Sequence, residues 1–205
     1  MDLGLALRGA GFGVAIAAPV GPIAVLLIRR TLNRGRAVGY ASGLGAATAD
    51  LCYGLVVALG LTAVTDTLTS AERWLKVVGG IVLIALGVKT LRSGEVDTDA
   101  GEPSRRGLLA AYGSTLGLTL TNPATIVAFL AVFASVGVAT TASSTSDAVS
   151  VALGVALGSV LWQLGLCTVV SLLRHRLSSS ALRRVNVGSG LVIAGFGVAA
   201  LVAAA

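Results

Sequence analysis

Charge is scarce in this chain of 205 residues: Asp, Glu, Lys and Arg make up 12%, about half their usual share in a soluble domain. With 55% hydrophobic residues and a mean hydropathy of +0.92, that scarcity excludes a water-soluble globular domain. Aromatics are only 4%, which leaves no stacking platform for single-stranded nucleic acid. The two cysteines, Cys52 and Cys167, stand alone in apolar stretches, so no CxxC redox pair, zinc site or disulfide framework is encoded. A single histidine, His175, leaves few ligands for a metal, and no metal or cofactor is expected. No glycine-rich segment continues into the GxxxxGK of a phosphate loop.

What is present is glycine, 27 residues spread through apolar stretches without a fixed period. Small residues at that density suit closely packed membrane helices. A bilayer core takes about 20 mostly apolar residues per helix, and six such stretches lie between the charges: residues 9–28, 37–65, 74–91, 107–138, 148–173 and 185–205. The chain therefore reads as an all-α membrane protein with six transmembrane helices. The third span requires Lys76 and Lys89 to snorkel, with Trp74 at an interface. The fourth exceeds one straight crossing and is expected to break at Asn122-Pro123.

Basic residues set the orientation. The first connection holds Arg29, Arg30, Arg34 and Arg36, the third Lys89, Arg92, Arg105 and Arg106, and the fifth Arg174, Arg176, Arg183 and Arg184. Only Arg8, Arg73 and Lys76 lie on the other side. The positive-inside bias then puts the odd connections in the cytoplasm and both termini outside. This also explains the net charge of +6 without nucleic-acid binding, because the basic residues occupy three separate turns and form no patch interleaved with aromatics. Asp2 and the length of the first apolar stretch argue for a retained helix over a cleaved signal peptide.

The two halves are alike. Residues 80–88 and 190–198 are identical at four of nine positions, and the first and fourth spans both carry proline, at Pro19, Pro22 and Pro123. Three helices separate the equivalents, so the halves would insert with opposite topology. The expected organisation is a first three-helix repeat at 1–91, a cytoplasmic linker at 92–106 and a second repeat at 107–205.

Asp50 is the only acid within the six spans, close to the middle of its own. An acid at that depth costs roughly 2.5–3.5 kcal/mol on insertion scales, so it should face a polar cavity or a partner; a hydrogen-bonded packing role is the alternative. Pro19-Val-Gly21-Pro22 removes two backbone donors in four residues, which interrupts the helix. Asn122 is a good N-cap and Pro123 a good first helical residue, so a half-helix starting there would offer free amides and a positive dipole end to a carboxylate. Both proline sites are also compatible with plain kinks. Thr121, Gln163 and Trp162 are candidates to line a cavity, although Thr119, Thr121 and Thr125 could simply bond their own backbone. The glycines of Gly39-x-x-x-Gly43, Gly45 and Gly154-x-x-x-Gly158 serve close helix packing, within one chain or between two, which leaves a homodimer open. His175, between two arginines at a membrane edge, reads as a solvated surface residue.

Ala18-Pro-Val-Gly-Pro22, Arg30-Thr-Leu-Asn-Arg-Gly35, Gly39-x-x-x-Gly43-Leu-Gly-Ala-Ala-Thr-Ala-Asp50 and Thr121-Asn-Pro123 occur in that order. In this combination the chain resembles the lysine exporter (LysE) family of amino-acid efflux proteins over nearly its whole length. The resemblance implies a secondary transporter of the bacterial inner membrane that exports amino acids, driven by the proton gradient. Where many relatives carry Pro-Gly-Pro, Pro19-Val-Gly-Pro22 is closer to the branch handling basic amino acids, arginine or lysine. The wider superfamily has thiol-redox and heavy-metal branches. Absence of cysteine near Pro19 and Asn122 disfavours a membrane thiol-disulfide enzyme, and the lone histidine disfavours a metal exporter; a cation or heavy-metal exporter is nonetheless the alternative within transport, and a purely structural membrane protein the alternative outside it. The resulting expectation is alternating access around a cavity between the repeats, with the substrate carboxylate at Asn122 and Asp50 holding an ammonium group or a coupling proton.

Overall fold

Two prolines separated by Val20 and Gly21 leave the backbone without two of its donors, and the helix that starts the chain stops there. The computed structural model describes residues 2–59, 71–92, 104–122, 124–129, 144–174 and 177–204. Helix α1, Leu3–Ala17, is capped by Asp2, whose carboxylate accepts from Leu5 N at 3.1 Å. Helix α2, Pro22–Arg34, restarts with Pro22 in the first turn and leaves α1 at 81°. The interruption expected at Pro19 and Pro22 is thus a sharp bend between two half-helices.

Gly35 alone joins α2 to α3, Arg36–Ala58, and its φ of 86° lies in the left-handed region that favours glycine. Arg29 and Arg30, read from the sequence as part of this connection, are the last turns of α2 instead. The remaining helices are α4, Glu72–Arg92, α5, Arg105–Leu120, α6, Thr145–Arg174, and α7, Ser179–Val202. Residues 124–129 form a further short helical stretch after α5. No strand occurs among the described residues. Residues 60–65 of the expected second span, residues 93–103 of the linker, Pro123 and His175 lie outside the described residues.

Helices α4, α6 and α7 are long and apolar enough to cross a membrane, and the bent α1–α2 pair makes a fourth such unit if it is one span. The multi-pass membrane character shows in the outer surface as well. Leu157, Leu161, Val169 and Leu172 of α6 and Leu191 and Val202 of α7 are exposed, an apolar belt that water would not tolerate over this extent but lipid chains match.

Packing runs through small residues. Helix α6 lies against α1 so closely that a Cβ on Gly158 would collide with the Ala10 carbonyl oxygen, and one on Gly154 with that of Ala6. Helix α3 packs on α6 and on α5, while α7 packs mainly on α4. Arg30 ties three elements together: its guanidinium donates to Ser42 Oγ at 2.9 Å, to the Ala111 carbonyl at 2.9 Å and to Thr115 Oγ1 at 2.7 Å. Charge-assisted hydrogen bonds of this kind are about twice as strong as neutral ones, so Arg30 anchors α2 to α3 and α5.

Candidate functional site

Breaking a helix frees backbone groups that must find partners. At the end of α5, Tyr53 of α3 donates its hydroxyl to the Leu120 carbonyl at 2.6 Å, and its ring packs on Phe129 with centroids 5.4 Å apart. This fixes the end of α5 against α3. Asn122 begins the next helical stretch: its Oδ1 accepts from Ala124 N at 3.2 Å, its carbonyl from Thr125 N at 3.0 Å, and its Nδ2 donates to Thr125 Oγ1 at 3.0 Å. The α2 break is arranged differently. Gly21 supplies no side-chain cap and Pro22 has no N–H, so the amides of Ile23 and Ala24 stand at the head of α2 without intrahelical partners.

Both breaks open on one cavity of about 140 Å³. Its wall includes Pro19, Gly21, Pro22, Ile23 and Ala24 from the first break, Asn122, Ala124 and Thr125 from the second, Asp50 from α3 and Gln163 from α6. A water needs roughly 10–15 Å³ by the same measure, so the space suits a small solute.

Asp50 is 4% exposed and accepts a 2.5 Å hydrogen bond at Oδ2 from Ser159 Oγ of α6. No basic side chain pairs with it among the described residues. One helical turn further along α6, Gln163 is 5% exposed. Its Oε1 accepts no hydrogen bond, the one buried side-chain oxygen or nitrogen in that condition among the described residues. An unsatisfied buried acceptor costs roughly 1–3 kcal/mol. The cavity wall therefore carries an acid and an unused acceptor from α3 and α6, and helix-head amides from α2.

Of the residues picked out in the sequence, Asp50, Pro19, Gly21, Pro22, Asn122 and Gln163 come together here. Two do not. Thr121 turns its hydroxyl back onto the Gly117 carbonyl at 2.9 Å as the cap of α5. Trp162 is absent from the wall because, next to Gln163, it points about 100° away around the helix. Pro123 lies outside the described residues. Thr119 and Thr125 do border the cavity. Ser159 was not singled out; its spacing of four from Gln163 puts both on one face of α6, a signal the sequence carried.

The chain matches the family described as LysE type translocator over residues 14–204. It is 32% identical over 120 residues to a Bacillus subtilis (strain 168) protein named "Putative amino acid efflux protein YcgF", covering 56% of this chain and 55% of that protein. The chain thus spans about half the length of that relative. No solved structure matches.

Proposed function

Because the chain belongs to the LysE type translocator family, we propose that it exports amino acids across the bacterial inner membrane in exchange for protons. The observation that carries this reading is the cavity wall that joins Asp50 and the unused Gln163 Oε1 to two helix heads. An amino-acid zwitterion has complementary chemistry. Its ammonium group supplies three donors to Asp50 and Gln163, and its carboxylate accepts from amides at helix N-termini, where the dipole favours negative charge. The free amides of Ile23 and Ala24 at the head of α2 take the carboxylate, with Asn122 as the neighbouring polar wall, since the amides of Ala124 and Thr125 in its own half-helix are already bonded.

Asp50 cannot hold an ammonium group and a proton together. Competition between the two for one carboxylate couples their movements in opposite directions: a proton arriving from outside displaces the substrate, and substrate arriving from the cytoplasm displaces the proton. Ser159 holds the carboxylate in place in either state. Among the cavity's lining residues there is one acid and no thiol or imidazole, a set that favours an amino acid over a soft metal ion as cargo.

The fold we infer for this cycle is two inverted three-helix repeats with the α1–α2 pair and the broken α5 region as equivalents. Exchange of the halves carries the α1–α6 contact onto α5–α3 and returns α3–α6 and α4–α7 to themselves, and these four are the main packed pairs. In the α4–α7 pair, Gly80 approaches the Gly197 carbonyl and Gly87 that of Gly190, which matches the alignment of 80–88 with 190–198. Rocking of one repeat against the other would open the cavity to each side in turn. Twelve basic residues on one side orient the odd connections to the cytoplasm and both termini outside. Counterflow in proteoliposomes with a panel of neutral, basic and acidic amino acids tests the reading: exchange of at least one labelled amino acid is expected, and no exchange with any would overturn it.

A further inference from the structure

On three helices, the face that lines the central cavity continues into one cluster of bonded side chains. Ala46 of α3, Thr119 of α5 and Ile23 of α2 all line the cavity. Four residues before Ala46 stands Ser42, four before Thr119 stands Thr115, and seven after Ile23 stands Arg30. Separations of four and seven keep a residue on its helical face, and four residues rise about 6 Å. Arg30 donates to Ser42 Oγ, to the Ala111 carbonyl and to Thr115 Oγ1, and through its other terminal nitrogen to Ser114 Oγ at 2.9 Å. The cluster therefore crosses the end of the cavity that lies toward the C-terminus of α2. Ser42 and Thr115 are fully buried, as is Leu27 in the intervening turn of α2, so this end is closed.

Close packing through glycine holds α1 to α6 and α4 to α7. The seam between α2 and α5 is built differently: the two helices otherwise meet at few points, and the Arg30 guanidinium reaches across it to three acceptors of α5. All four of its acceptors are neutral, so its release leaves no unpaired carboxylate behind. Arg30 also lies one turn before Arg34, the last residue of α2, and the stem of an arginine is long enough for a freed head to reach the interface. We propose that Arg30 is the gate of the cavity on the side of the α2 C-terminus. Its hydrogen bonds close that end in the present state, and they break when the cavity opens there. The inference rests on the transporter reading and is independent of which cargo is carried.

Single-cysteine accessibility tests it. With Cys52 and Cys167 replaced, Ala46→Cys reports on the cavity wall, and Arg34→Cys in a separate chain defines the side of the membrane. A small membrane-impermeant methanethiosulfonate reagent is applied to each face of sealed vesicles in turn, with Arg30 present and with Arg30→Met, which keeps much of the stem and loses every donor. From the side on which position 34 reacts, position 46 is expected to react at least about tenfold faster in Arg30→Met, the worth of one hydrogen bond from a charged group, with no acceleration from the other side. Ser42→Ala with Thr115→Val retains Arg30 and removes two acceptors; it should accelerate labelling from the same side, and it keeps the test decisive should Arg30→Met fail to insert. Arg29→Met removes a neighbouring charge whose Nε is bonded to Asn186 of α7, and should leave the rate unchanged. Unchanged labelling in Arg30→Met and in the double variant overturns the proposal, as does equal acceleration from both sides or in Arg29→Met. Counterflow on the same vesicles separates this from the cargo assignment: no exchange of any amino acid, with position 46 still gated by Arg30, leaves the gate standing for another cargo, whereas exchange with position 46 indifferent to Arg30 overturns the gate alone.

Discussion

Ser159 Oγ of α6 donates to Asp50 Oδ2 of α3 at 2.5 Å, across the contact between the helices that carry the cavity's acid and its unused acceptor. The bond gives the carboxylate one partner and leaves its remaining acceptor capacity for a ligand. Asp50→Asn keeps the shape and an acceptor but cannot take up a proton. Gradient-driven export is expected to fail in this variant while insertion and some equilibrium exchange survive. In the wild-type chain, substrate affinity should fall as pH is lowered, because a protonated Asp50 no longer attracts an ammonium group; in Asp50→Asn that dependence should vanish. Binding measured across pH in both proteins decides the matter, and normal uphill export by Asp50→Asn would reduce Asp50 to a packing residue.

Gln163→Leu separates ligand binding from stability. Since Gln163 Oε1 has no hydrogen bond in the fold, an apolar residue of similar volume there should leave thermal stability unchanged or raise it. Substrate affinity should drop about tenfold or more, the worth of one hydrogen bond to a charged group. A melting curve and a binding isotherm on the same preparation check both halves; unchanged affinity would remove Gln163 from the site.

Asn122→Leu removes the cap on the helical stretch that follows it, a loss of about 1 kcal/mol in stability, together with a polar wall of the cavity. Affinity is expected to suffer more than folding, and Asn122→Asp, which keeps the cap, should fold normally yet repel a carboxylate. If Asn122→Leu binds substrate as the wild-type chain does, the carboxylate sits elsewhere.

Gly158→Leu tests the packing on which the cavity depends. The side chain would meet the Ala10 backbone, where no rotamer change can relieve the clash, so α1 must move away from α6. Overpacking of this kind costs typically 1–3 kcal/mol, and a lower melting temperature with loss of transport is expected; Gly165→Leu, at a position with open space around it, should be tolerated in both assays.

Topology is open to single-cysteine labelling after Cys52 and Cys167 are replaced. Cysteines at Arg34, Arg105 and Arg183 should react from the cytoplasmic side and one at Ser144 from outside. Labelling of positions 34 and 144 from the same side would sink the six-span arrangement.

Composition, proline placement and the acid at position 50 were enough to point to a bundle of membrane helices, two interruptions and a polar surrounding for Asp50, because each is a local property. Proline cannot donate wherever it sits, and an acid among apolar neighbours needs a polar surrounding in any arrangement. Rotation of each helix about its axis is not local. Glycine, alanine and leucine cover several faces of α3 and α6, so the 3.6-residue period gave no single apolar stripe by which to tell Gln163 from its neighbour Trp162. That choice was made by the tertiary structure, where close approach of α6 to α1 at Gly154 and Gly158 turns Ser159 and Gln163 inward and leaves Trp162 off the wall. Arg30 illustrates the same limit. In the sequence it is one of four arginines at a membrane edge, and only the nearness of α3 and α5 makes it the hydrogen-bonded anchor of α2, since a long cationic side chain takes its role from whichever acceptors the fold brings within reach.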